Sequence, residues 1–87
     1  MQSQESARSA LRKLILEDYL FTDDETMLRD DMSFLTEGIL DSMGILEIIM
    51  FLEEQFQVIV AEDEMIPENL DSIQNLLSYI DRKKMAA

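Results

Sequence analysis

The chain contains no cysteine and no histidine in 87 residues. Without cysteine there is no disulfide and no thiolate nucleophile. Without histidine the commonest general base and metal ligand is missing. Proline occurs once and glycine twice, and no Asn-Gly or Asp-Gly pair is present. Tight hairpins therefore lack their usual signal. No apolar run approaches the roughly 18 residues of a membrane span. Met1-Gln2-Ser3-Gln4-Glu5-Ser6 is polar and lacks the core of a signal peptide, so a cytoplasmic setting is expected. Basic residues are few, 7 against 19 acidic, for a formal charge of −12. Such a chain repels phosphate backbones and anionic lipid surfaces, which excludes nucleic acid as a partner class and disfavours membrane surfaces.

The length suits one small domain over residues 1–87, and 47% hydrophobic residues give a thin core of modest stability. The charge is uneven. Among the acids only Glu5 and Asp81 lie outside residues 17–71, and among the basic residues only Arg29 lies inside. Scattered acids usually serve solubility. This density exceeds that need, because self-repulsion destabilises a compact state, and it favours an acidic surface for a basic protein partner.

The apolar spacing is helical. Ala7, Leu11, Leu14, Ile15 and Tyr19 step at three and four, which predicts a first helix capped by Ser3 and ending near Leu20. Residues 21–40 show no period. Their apolar members, Leu28, Met32, Phe34, Leu35 and Ile39, predict a long loop lying on the core, with a helical turn hidden in it or a function of its own. Asp41 opens a second helix running to Phe56, with Ile49, Leu52 and Phe56 serving the core. Gln57-Val58-Ile59-Val60 reads as an extended link with its apolar side chains inward. Glu62 to Ile66 reads as one helical turn stopped by Pro67. Asp71 is the expected cap of a last helix, with Gln74 near a capping-box position, a stripe of Ile73, Leu76, Leu77 and Ile80, and Arg82, Lys83 and Lys84 at its C-terminal end. The expected architecture is all-α: a small four-helix bundle of three main helices and one short one, with a long loop between the first and second.

Metal and enzyme chemistry find little support. Asp23-Asp24-Glu25 and Asp30-Asp31 do not have the spacing of a calcium loop, and loose divalent binding that relieves repulsion is the favoured reading. There is no Gly-rich phosphate loop and no serine paired with a base, and a bundle of this size leaves little room for a substrate pocket. No enzyme is expected.

The second helix is the informative element. Between Met43 and Leu52 only Gly44 and Glu47 are not apolar, more than a core-facing stripe needs. Met50 shares a face with Glu47 and Glu54, an adaptable apolar side chain flanked by acids. Two readings remain open: a docking face, or a central helix covered by the long loop. Ser42 stands at the mouth of this helix. Leu40-Asp41-Ser42-Met43 and Leu70-Asp71-Ser72-Ile73 are nearly the same tetrapeptide, and capping accounts for both. Ser42 differs in following Gly38 and the long loop. A helix N-terminus also favours a phosphate, and Gly44 would let a group on Ser42 lie close to the backbone.

Gly38-Ile39-Leu40-Asp41-Ser42-Met43 resembles the attachment motif of acyl carrier proteins, glycine, two residues, then Asp-Ser-Leu. The resemblance continues through Leu52-Glu53-Glu54-Gln55-Phe56 and Pro67 to Ile73 and ends with Tyr79-Ile80, covering roughly residues 8 to 83. It implies that Ser42 receives a 4′-phosphopantetheine arm from coenzyme A through a phosphopantetheinyl transferase, with Asp41 and Met43 flanking the site. It implies a thiol that holds an acyl or aminoacyl group as a thioester, so the reactive sulfur is imported. It implies that Leu46, Glu47, Met50, Glu53 and Glu54 meet basic patches on partner enzymes. It implies a role in fatty acid or secondary metabolite biosynthesis. Met43 in place of leucine conserves volume. Gly44 stands where fatty-acid carriers often have an acid, and the stretch from Val60 to Asp71 is longer than theirs. That stretch is similar to discrete carriers served by an adenylate-forming acyl or aminoacyl ligase, upstream of acyl-transfer or synthase enzymes. The rival expectation is an acidic helical interaction module that never carries an arm. A calcium-responsive helical protein is a weaker one.

Overall fold

The computed structural model describes residues 4–86, with side chains for 5–85. Four α-helices follow one another: α1 (Gln4–Asp18), α2 (Ser42–Phe56), α3 (Pro67–Leu70) and α4 (Ile73–Ala86). No strand occurs among the described residues. The fold is all-α, three main helices and one short one, as the spacing predicts. The expected cap at Ser3 lies outside the described residues.

Each main helix buries one stripe. On α1 it is Ala7, Leu11 and Ile15, with Leu14 half-buried. The helix ends at Asp18 rather than near Leu20. The chain turns through Phe21 at φ 54, and the amides of Tyr19, Leu20 and Thr22 use the free carbonyls of Ile15 and Leu16. On α2 the stripe is Gly44, Ile48, Leu52 and Phe56. Ile48 therefore takes the core place expected of Ile49, which is half-buried. On α4, Ile73, Leu76, Leu77 and Ile80 are buried as expected, together with Tyr79. Each such large side chain contributes about 1.5–3 kcal/mol.

The loop between α1 and α2 lies on the core. Leu28, Phe34 and Leu40 are buried at 2%, 0% and 4% exposure. A 3₁₀ turn at Glu25–Met27 is indeed hidden in it, capped by Asp24, whose carboxylate accepts from Thr26 N at 3.0 Å. Arg12, buried on α1, is the main anchor of this segment. Its guanidinium donates to Asp30 Oδ1 at 2.8 Å, to the Glu25 carbonyl at 2.8 Å and to Glu25 Oε1 at 3.2 Å. Arg8 adds a 2.6 Å bond to Asp30 Oδ2. Further on, Phe34 N donates to the Asp71 carbonyl at 2.8 Å, and the Asp71 carboxylate accepts from the Ser33 hydroxyl and from Leu35 N. Gly38 closes the loop at φ +72, a backbone conformation that suits glycine.

These contacts correct the expected cap of α4. Asp71 does not cap it, because its carboxylate is spent on Ser33 and Leu35. Ser72 does, accepting from Asn75 N at 3.0 Å. Gln74 takes no part in a capping box, and its backbone N–H donates to the Asp30 carbonyl at 2.8 Å. Pro67 does not stop a turn but opens α3 as its first residue, after a separate 3₁₀ turn at Glu62–Glu64. In the link from Gln57 to Val60, Val58 and Val60 point inward, whereas Ile59 is 68% exposed.

Candidate functional site

The two similar tetrapeptides fold in different registers. Asp41 caps α2, its carboxylate accepting from Gly44 N at 3.0 Å. Ser42 is then the first helical residue, exposed, with a hydroxyl that capping does not need. Ser72 is itself the cap and is 5% exposed. The sequence places both serines at helix starts, but only Ser42 leaves its Oγ available at the surface.

Gly44 has a different role from the one its position suggests. It is buried, and a Cβ there would lie 2.9 Å from Leu40 Cδ2, 3.2 Å from Leu40 Cβ and 3.4 Å from Tyr19 Cε1. Glycine lets α2 sit down on Leu40 and Tyr19, and it makes no room beside Ser42. The Tyr19 hydroxyl is buried without a partner in hydrogen-bonding geometry among the described residues. Burial first, and Glu47 next, push it up to about 12.

Ser42 stands at the mouth of an apolar cleft of about 370 Å³. Ile45, Leu46 and Ile49 of α2 form one wall, and Met65, Ile66, Pro67 and Leu70 form the other, with Leu35 and Asp71 at the edge. The expectation of little room for a pocket is thus corrected. α3 packs on α4, and the cleft lies between this pair and α2. Ile49 lines this gap, which is why it is not in the core.

Outside the cleft, α2 presents a mixed surface. Met43, Leu46 and Met50 are 68%, 50% and 60% exposed. Glu47, Glu53 and Glu54 are exposed around them. The long loop does not cover this face. No group of Asp and Glu among the described residues is arranged to hold a metal ion. No described helix is long and apolar enough to cross a membrane.

Sequence reasoning missed Glu64. Its Oε1 accepts from Tyr79 Oη at 2.9 Å, Lys83 Nζ at 2.9 Å and Ala61 N at 3.1 Å. Lys83 foremost, then the Ala61 amide and Tyr79, hold this carboxyl at about 2 against an ordinary 4.5. Burial, and then the bond to Glu64, push the Tyr79 hydroxyl up. Burial pulls Asp30 up, but the bonds from Arg8 and Arg12 outweigh it and hold the carboxyl down. A carboxyl lowered in the folded state stabilises the fold while ionised. The Glu64 contribution is therefore complete above about pH 4.5 and is lost as pH falls through about 2. Acid titration followed by circular dichroism should show stability falling over that window, with a shallower fall in Lys83→Met. Equal acid sensitivity in the two proteins would contradict this assignment.

Among the described residues the helical bundle sets the exposed Ser42 at the start of α2, beside an apolar cleft and an acidic helix face. No family model matches the chain. It is 33% identical over 66 residues to the D-alanyl carrier protein of Abiotrophia defectiva, covering 75% of this chain and 82% of that protein. It is 35% identical over 74 residues to an acyl carrier protein of Thermosynechococcus vestitus, covering 85% of this chain and 88% of that one. A solution structure of a holo acyl carrier protein from Nitrosomonas europaea superposes with a TM-score of 0.66 and 27% identity, covering 100% of both chains. The chain belongs to the acyl carrier protein family, a carrier rather than an enzyme.

Proposed function

We propose that Ser42 carries a 4′-phosphopantetheine arm and that the described residues act as one carrier-protein domain in the cytoplasm. The observation that carries this reading is the exposed Ser42 hydroxyl at the mouth of the apolar cleft, with capping delegated to Asp41. The residues suit such a group. Asp41 takes the amides of Gly44 and Ile45, which leaves those of Ser42 and Met43 at the helix start to favour a phosphate, and Asp41 and Met43 flank the serine on open surface. When attached, the arm supplies the thiol that this chain lacks and that holds the cargo as a thioester. The cleft walls give an apolar part of that cargo a place out of water.

On this reading a phosphopantetheinyl transferase modifies Ser42. An adenylate-forming ligase or another loading enzyme adds an acyl or aminoacyl group, and acyl-transfer or synthase enzymes of fatty acid or secondary metabolite biosynthesis take it onward. The D-alanyl carrier relative supports the aminoacyl branch as much as the acyl carriers support the other. Partners dock on α2, with Glu47, Glu53 and Glu54 steering a basic surface and Met43, Leu46 and Met50 supplying apolar contact. Incubating variants with coenzyme A and a broad-specificity transferase tests the reading. Ser42→Ala should lose all modification and keep the fold, and Ser72→Ala should still be modified. Modification persisting in Ser42→Ala would sink the assignment of Ser42, and no modification of the folded wild type would favour the arm-free acidic docking module.

A further inference from the structure

The cleft wall formed by residues 65–67 is not held by α2, across from it, but by polar ties behind it. Glu64, directly before this wall, bonds Tyr79 and Lys83 of α4. The backbone carbonyl of Glu64 accepts from Asn69 Nδ2 at 2.9 Å, and Arg82 donates to Asn69 Oδ1 at 2.6 Å. The Pro67 carbonyl accepts from Asn75 Nδ2 at 3.3 Å. Every tie pulls the wall toward α4 or stiffens it. Met65 and Ile66 remain 42% and 43% exposed, so little apolar packing holds them in place. A wall fixed by side-chain bonds and weakly packed has a position set by those bonds.

We infer that Glu64 is a positioning residue: its carboxylate, latched to Tyr79 and Lys83, holds the Met65–Pro67 wall away from α2 and thereby sets how long an apolar chain the cleft admits. This rests on the reading of the cleft as a cargo site. The latch itself is a property of the protein before any modification. Released, the wall keeps only the weaker ties through Asn69 to Arg82 and from Pro67 to Asn75, and the 370 Å³ gap no longer has a fixed size.

The test uses the unmodified chain, so that it stands whether or not Ser42 accepts an arm. Amide hydrogen exchange is compared in wild type, Glu64→Ala, Lys83→Met and Lys83→Arg. Loss of a charge-assisted bond should speed exchange in residues 62–70 about tenfold, with α1 and α2 unchanged, and Lys83→Arg should restore the wild-type rate. Titration with straight-chain alkanols of increasing length, read from the methyl signals of Ile45 and Ile49, reports the cleft's capacity. The preferred length should be single-valued in wild type and Lys83→Arg, and shifted or lost in Lys83→Met. Unchanged exchange in both Glu64→Ala and Lys83→Met would overturn the latch. A loosened wall with an unchanged length preference would overturn its control of capacity. Failure of coenzyme A to modify Ser42 bears only on the carrier reading.

Discussion

Phe34→Ala is expected to cost about 3–5 kcal/mol and to leave the chain mostly unfolded without stabilising salt. Phe34 is fully buried although it belongs to the loop between α1 and α2. Its amide donates to the Asp71 carbonyl at 2.8 Å, and its own carbonyl accepts from Ile39 N at 2.8 Å and Leu40 N at 3.3 Å. Truncation therefore leaves a cavity in the core where the loop meets the α3–α4 junction. A domain this small has a core worth only about 3–5 kcal/mol of net stability, so a single such loss is comparable to the whole. Urea denaturation measures it, as a large fall in midpoint at similar slope. A wild-type midpoint would mean that the loop contributes nothing to the core.

Arg12→Ala should be the most damaging change at a charged position, at about 2–4 kcal/mol. Arg12 is 5% exposed and makes three bonds to the loop. Removing one partner of a buried ion pair costs about 3–5 kcal/mol because the other charge is stranded. Here the loss is smaller, because Asp30 is one-third exposed and keeps its bond to Arg8. Arg12→Lys should recover only part of it, since an ammonium cannot reach Asp30, the Glu25 carbonyl and the Glu25 carboxylate in one fork. Midpoints of the three proteins in urea decide this. Equal midpoints for Arg12→Ala and wild type would reduce Arg12 to a buried spectator.

The helices were legible because their apolar spacing is strong and local. The stripes of α1 and α4 can be read off by counting threes and fours. On α2 counting alone could not separate Ile48 from Ile49, because the helix is apolar on most of its circumference. The deciding residue was Gly44, whose close fit against Leu40 and Tyr19 puts Ile48, Leu52 and Phe56 on the same inward line. The caps were only half legible. Asp41 and Asp71 stand in nearly the same tetrapeptide, yet Asp41 bonds its own helix while Asp71 bonds Ser33 and Leu35 far earlier in the chain. No local pattern announces such a partner. The same holds for Glu64, one of three acids in a row, which meets Lys83 only when α4 has packed. Ser42 was singled out by its motif, and the folded register gave the physical distinction from Ser72. The cleft was invisible because its two walls, on α2 and in residues 65–70, meet only in the folded chain.

The most direct measurement is the intact mass of the folded wild-type protein after incubation with coenzyme A and a broad-specificity phosphopantetheinyl transferase, followed by peptide mapping. The expected result is a gain of one phosphopantetheine, confined to the peptide that contains Ser42. No gain from folded protein, or a gain on the peptide containing Ser72 instead, would contradict the assignment of Ser42 as the carrier serine.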